Sequence, residues 1–146
     1  MKLAEVLKGI NILSTNTTGG EDITGITYDS RKVEPGFIFA ALKGANSDGM
    51  DFVGKAAKSG AAVVLANRPD PAATPDLGWV RVDDLREALA LAAANFYGYP
   101  SDRLKTVGVT GTKGKTTVTY ILESILTAAG ASVGVIGTIE YRYPGV

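Results

Sequence analysis

"GVTGTKGKTT", Gly108 to Thr117, decides how the second half of this chain is read. The residues leading into it, Thr106 to Thr110, predict a strand, and Gly111 to Gly114 predict a loop. Thr116 to Ala129 then predict a helix, with Val118, Ile121, Leu122, Ile125 and Leu126 on its apolar face and Gly130 as its stop. Ser132 to Ile136 predict the next strand. Strand, glycine loop and helix in that order is the setting in which a phosphate loop works. Gly111 and Gly114 permit positive φ and bring backbone N–H groups close to phosphate oxygens. The helix N-terminus adds its partial positive charge. Lys115 sets a cation against the β- and γ-phosphates of a nucleotide, and Thr116 offers a hydroxyl to Mg²⁺. The common pattern G-x-x-x-x-G-K-[ST] asks for glycine where this chain has Val109. That position falls at the strand end, ahead of the tight part of the loop, where valine fits. A Gly-rich turn before an ordinary helix would carry the same glycines without the ordered set of elements around them.

Composition narrows the rest. The chain has 146 residues, 45% of them hydrophobic and 21% charged, as in soluble globular protein. Fifteen basic and fifteen acidic residues cancel, so there is no basic excess of the kind that accompanies nucleic-acid binding. No apolar run approaches the roughly 20 residues of a membrane span. Glu5 and Lys8 interrupt the place where a signal peptide would be apolar, so the expected compartment is the cytoplasm. With no cysteine and no histidine, thiolate chemistry and the commonest general base are both excluded. Catalysis would rest on Lys, Arg, carboxylates, hydroxyls and backbone dipoles.

The N-terminal part reads as small α/β. Lys2 to Lys8 predict a short helix with Leu3, Val6 and Leu7 inward, and Ile23 to Tyr28 a strand running into Asp29-Ser30-Arg31. Gly36 to Leu42 and Ala61 to Ala66 are apolar runs of buried-strand length. Gly44 to Gly49 predict an exposed loop, and Asp51 a cap for a helix to about Ser59, with Phe52, Ala56 and Ala57 inward. Together these predict a right-handed β-α-β unit. Asn67 to Pro75 holds three prolines and predicts a loop; Trp79 to Val82 predict a strand. Asp83 and Asp84 can cap a helix carrying Leu85, Leu89, Ala92 and Phe96, which ends near Gly98-Tyr99-Pro100. The boundary between parts is set at Pro100-Ser101-Asp102.

T-G-T-x-G-K-T-T at a strand end, Thr110 to Thr117, resembles the loop of the Mur ligases, ATP-dependent amide ligases of peptidoglycan synthesis; folylpolyglutamate synthetases carry a similar loop. Ile26 to Val33 (ITYDSRKV), Pro35 to Gly44 and Asp48-Gly49-Met50-Asp51-Phe52 resemble the UDP-binding domain of the Mur branch that adds the third amino acid, diaminopimelate or lysine, to UDP-MurNAc-L-Ala-D-Glu. The resemblance implies an α/β protein in two parts. Residues 1–100 would be a mixed α/β UDP-substrate-binding domain, and 101–146 the first β-α-β of a P-loop ATP-binding domain. It also implies ATP and Mg²⁺, a UDP-MurNAc-dipeptide and an amino acid as substrates, and a monomer.

By the same resemblance Ser30 contacts the uracil-ribose end of the substrate with Tyr28 beside it, and Asn46, Ser47 and Asp48 add polar groups. Gly111, Thr112, Lys113, Gly114, Lys115, Thr116 and Thr117 cradle the ATP phosphates, with Lys115 as catalytic cation and Thr116 on the metal. The family commonly has Asn where Lys113 stands, and many members have His where Met50 stands or early in the 45–48 loop. Its later metal, substrate-carboxylate and amino-acid groups would follow Val146, so little or no ligase activity is expected from these residues by themselves. Tyr141 and Tyr143 are expected to be strand residues without a partner. Two other classes stay open: a small P-loop NTPase or kinase, and a non-catalytic nucleotide-sugar-binding module.

Overall fold

The computed structural model describes residues 1–45, 47–68, 74 and 77–143, and the chain divides into two units, Met1–Leu104 and Lys105–Val146. Asn46, most of the proline-bearing loop, and Pro144 and Gly145 lie outside the described residues.

The first unit is built on a sheet of five strands. Strands β2 (Gly25–Thr27), β3 (Phe37–Ala40), β4 (Val63–Ala66) and β5 (Gly78–Val82) are parallel neighbours, and β1 (Ile12–Thr15) runs antiparallel on β5. The apolar runs become the centre of the sheet because both faces are covered, which is what a parallel sheet requires. Alternate residues serve alternate faces. Ile38, Ala40, Val63, Leu65, Val80 and Val82 meet helices α1 (Leu3–Val6) and α3 (Leu85–Tyr97) through Leu3, Val6, Leu85, Ala88 and Ala92. Phe39, Val64, Ala66 and Trp79 meet helix α2 (Val53–Lys58) through Val53 and Ala56. The result is the expected mixed α/β architecture with a mostly parallel sheet.

Side-chain amides fasten the parts that hydrophobic burial alone leaves free. Asn95 on α3 donates from Nδ2 to the carbonyls of Val6 and Lys8, at 2.9 and 2.8 Å, tying α1 down. Asn16 accepts from the Trp79 N–H at 2.6 Å and donates to Leu77 O at 3.2 Å, fixing the end of β1 on β5. β1 is exposed at all four residues, so its sequence, Ile-Leu-Ser-Thr, carries no alternation to reveal it.

Two local expectations are corrected here. The cap after the 44–49 loop is Asp48, not Asp51: a 3₁₀ turn spans Gly49–Phe52, and Asp48 accepts from Met50 N. That tighter turn advances the phase, so Val53 is buried while Phe52 is 38% exposed. Gly49 is required by close approach. A Cβ built there would sit 2.5 Å from the Ala41 carbonyl carbon and 2.6 Å from Leu42 N and O, all backbone. Gly49→Ala should therefore cost about 1–3 kcal/mol through forced displacement of the loop after β3. An unchanged urea midpoint would contradict that packing.

The second unit departs further from expectation. Thr106 to Val109 form no strand, because among the described residues nothing lies alongside to complete a ladder; Val107 is 69% exposed. Helix α4 (Lys115–Ala128) forms as predicted but has no buried residue. The expected strand Ser132–Ile136 shortens to β6 (Val135–Ile136), which pairs antiparallel with β7 (Tyr141–Arg142). Tyr141 thus has a partner, Ile136, contrary to expectation, whereas Tyr143 lies beyond the pairing. The element after α4 is a small antiparallel ribbon and not the second strand of a parallel pair. Among the described residues no helix is long and apolar enough to cross a membrane.

Candidate functional site

Two helix starts in this chain are built in opposite ways, and the contrast singles out the start of α4 as a candidate phosphate site. At α3, Asp84 accepts from Arg86 N and Glu87 N at 2.9 and 3.0 Å, so the first-turn donors are occupied by the chain's own carboxylate. At α4 the N-cap is Gly114, at φ +79°, and no side chain caps the helix. The first-turn N–H groups of a 14-residue helix are therefore left for an external acceptor, with the dipole behind them. Gly111 also lies at positive φ, +150°. Lys115 Nζ donates to Gly111 O at 2.5 Å, folding the lysine back over the loop. Thr112, Lys113, Thr116 and Thr117 are all exposed around this turn.

A cavity of about 150 Å³ opens beside the loop, lined by Val109, Lys115, Thr116, Thr119, Tyr120, 135–139 and Glu140. Its far wall is a network. Tyr120 donates to Glu140 Oε1 at 3.1 Å, Arg142 Nε lies 3.2 Å from the same oxygen, and Arg142 stacks 4.4 Å over the Tyr120 ring. Arg142 also pairs with Glu123 on α4. The hydrogen bond to Glu140 holds the Tyr120 hydroxyl above its ordinary range. None of these wall residues is singled out by the sequence, since Glu140 and Arg142 meet α4 only through the β6–β7 ribbon. A larger cavity, about 310 Å³, is lined by Glu123, Thr127, 131–133, Arg142 and Tyr143 and contains no loop residue.

In the first unit the expected substrate residues gather at one edge. β2 and β3 are adjacent and parallel, in register Thr27↔Phe39, so the segments leaving their carboxyl ends share an edge of the sheet. Tyr28 and Ser30 follow β2, and Ser47 and Asp48 follow β3; Asn46 is outside the described residues. Ligands in open α/β sheets bind at that edge. Ser30 is 8% exposed, while Tyr28 stands out at 68%. Asp48 is already engaged at both oxygens, by Met50 N at 3.0 Å and by Arg68 Nη2 at 2.5 Å. Asp29 is likewise engaged, by the Arg31 side chain through Nε and Nη2 and by the Arg31 N–H.

Those contacts set the charge states. Hydrogen bonds from the Arg31 guanidinium and then its N–H hold the Asp29 carboxyl well below the usual carboxylate range. The Met50 N–H does the same for Asp48, helped by Arg68. Each folded-state value lies below the unfolded one, so the stabilisation is present above about pH 4 and is lost as pH falls through the folded values. The urea midpoint should accordingly fall between about pH 5 and pH 2.5, and Asp48→Asn should flatten that fall. A midpoint independent of pH there would contradict both assignments.

Comparison with known proteins finds similarity in both units. The model of the Mur ligase family, catalytic domain, matches residues 22–97, and that of the Mur ligase middle domain matches residues 109–144. A UDP-N-acetylmuramoyl-L-alanyl-D-glutamate--2,6-diaminopimelate ligase of Solibacter usitatus is 43% identical over 150 residues, covering 99% of this chain and 30% of that protein. The ligase of the same name from Clostridium tetani is 45% identical, over 95% of this chain and 29% of its own. The chain thus spans about 30% of the length of the curated relatives it matches. A MurF ligase from Thermotoga maritima, solved in complex with ADP, superposes with a TM-score of 0.54 at 29% identity, over 74% of this chain and 24% of that one. A solved UDP-N-acetylmuramoyl-L-alanyl-D-glutamate--2,6-diaminopimelate ligase gives a TM-score of 0.72 over 100% of this chain and 29% of its own, at 23% identity, a likeness of fold. The T-G-T-x-G-K-T-T loop and the D-S-R segment fall inside the two matched regions, one in each. The chain belongs to the Mur ligase family.

Proposed function

We propose that this chain supplies the UDP-substrate edge and the ATP-phosphate loop of an amide ligase of peptidoglycan precursor synthesis, which adds diaminopimelate to UDP-MurNAc-L-Ala-D-Glu. The observation that carries the reading is identity above 40% to ligases of that name, running through both units. On this reading residues 1–100 are the UDP-substrate domain and 101–146 the start of the ATP-binding domain. The protein works in the cytoplasm as a monomer.

The overall reaction moves the γ-phosphoryl of ATP to the D-Glu γ-carboxylate, giving ADP and an acyl phosphate. The amine of the incoming amino acid then attacks the acyl carbon and releases phosphate. The residues described here do the binding and orienting. The uncapped N–H groups at the start of α4 receive phosphate oxygens. Lys115 leaves the Gly111 carbonyl and pairs with the β- and γ-phosphates, drawing charge off the transferring group. Mg²⁺ fits the oxygen donors here, since it takes few protein ligands besides phosphates and water; the Thr116 hydroxyl, which lines the cavity, would hold it. When bound, the ion would supply positive charge that offsets the charge of the phosphate oxygens. In the first unit Ser30, Tyr28, Ser47 and Asn46 meet the UDP end, while Asp48 acts through its neighbours.

Calorimetric titration of the 146-residue chain with UDP-MurNAc-L-Ala-D-Glu tests the reading. Binding is expected, weakened about fivefold to tenfold in Ser30→Ala by loss of one hydrogen bond. No binding by the unaltered chain would contradict it.

A further inference from the structure

We propose that Lys43, Arg68 and Arg86 form the diphosphate-binding cluster of the first unit, with Asp48 as the positioning residue that holds Arg68 for it. The inference rests on the UDP-linked reading of that edge and deepens it.

The three cations come from three separate elements. Lys43 follows β3, Arg68 follows β4, and Arg86 lies in the first turn of α3, just after β5. β3, β4 and β5 are consecutive parallel neighbours, so all three positions are at the carboxyl edge of the sheet. Contacts draw them onto one loop. Arg68 Nη2 donates to Asp48 Oδ2 at 2.5 Å, Arg86 Nη2 reaches Lys43 O at 3.5 Å, and Lys43 and Asp48 are backbone bridge partners. All three cationic residues are exposed.

The acids at this edge are differently placed. Asp48 is engaged by Met50 N and Arg68, and Asp84 by the first-turn N–H groups of α3; Asp83 is exposed beside it. Among the described residues neither Lys43 nor Arg86 has a carboxylate within salt-bridge distance. Among the described residues Arg68 gives one N–H, to Asp48, of the five in its fork. A guanidinium steered by one carboxylate and otherwise open is suited to a planar, bidentate grip on phosphate. Arg31 is the opposite case. It sits in the D-S-R motif, yet both Asp29 oxygens bind it through Nε and Nη2, so it is not assigned to the diphosphate.

The experiment titrates the whole chain with UDP and, separately, with uridine, at two salt concentrations. Arg68→Gln should weaken UDP about tenfold and leave uridine unchanged, and the Arg68→Gln/Arg86→Gln pair should weaken UDP about a hundredfold. Both should reduce the salt dependence of UDP binding. Asp48→Asn keeps a capping oxygen for Met50 N but loses the ion pair, so it should weaken UDP several-fold, again without affecting uridine. Arg31→Gln should change neither ligand. Equal loss of UDP and uridine in Arg68→Gln, or no loss of UDP, would overturn the cluster while leaving the UDP reading intact. Failure of the unaltered chain to bind either probe would overturn the UDP reading and the cluster with it.

Discussion

Replacing Lys115 by alanine is expected to weaken ATP binding by on the order of a hundredfold, with the unfolding of the first unit unmoved. The size follows from what the side chain does in the resting loop. Its ammonium reaches back 2.5 Å to the Gly111 carbonyl, and the residue is exposed, so truncation removes no packing. What is lost is a cation in the first turn of α4, beside its unclaimed N–H groups. Backbone donors and the dipole remain, so residual weak binding should persist. Lys105→Ala, which changes the same charge at an exposed position ahead of the loop, serves as the control and should leave affinity near its original value. ATP affinity equal in Lys115→Ala and the unaltered chain would remove the phosphate assignment of the loop.

Amide hydrogen exchange should separate the two units by a comparably large factor. The side chains of Ile38, Phe39 and Ala40 in β3, and all of β4, are 0–1% exposed and sealed on both faces by helices. Their amides should exchange only through opening that approaches global unfolding. α4 is different: Val118, Ile121, Ile125 and Leu126 are 44%, 54%, 59% and 40% exposed. A helix of this length is marginal in water without packing. Its amides should exchange about a hundredfold or more faster than those of β4, corresponding to several kcal/mol less opening energy. Bound ATP should slow the first turn of α4 selectively. Equal protection in α4 and β4 would contradict an uncovered apolar face on α4.

The parts legible in the sequence are those whose reasons are local. Phe37 to Ala40 and Val63 to Ala66 read as buried strands because burial on both faces leaves unbroken apolar runs. Asp84 and Gly98 mark the ends of α3 because capping chemistry is specific to residue type. The turn ahead of α4 is legible for the same reason, since Gly111 and Gly114 take positive φ and Lys115 folds back onto the Gly111 carbonyl. Elements that depend on partners were not. β1 is exposed throughout and is held by Asn16, a contact over more than 60 positions of sequence. Thr106 to Val109 has strand composition, but a strand needs a neighbour. β7 gained one in β6, which no periodicity announced. At the carboxyl edge of the sheet the motif points to Asp48, while Arg68 and Arg86 stay hidden because their position depends on the order of β3, β4 and β5.

The most direct test of the central claim, that one chain carries a UDP-substrate edge and a separate ATP-phosphate loop, is a crossed titration. UDP-MurNAc-L-Ala-D-Glu and ATP are each titrated by calorimetry into the unaltered chain, Ser30→Ala and Lys115→Ala. The expected result is that Ser30→Ala weakens only the UDP ligand and Lys115→Ala weakens only ATP. Loss of both ligands in either variant, or of neither in both, would contradict it.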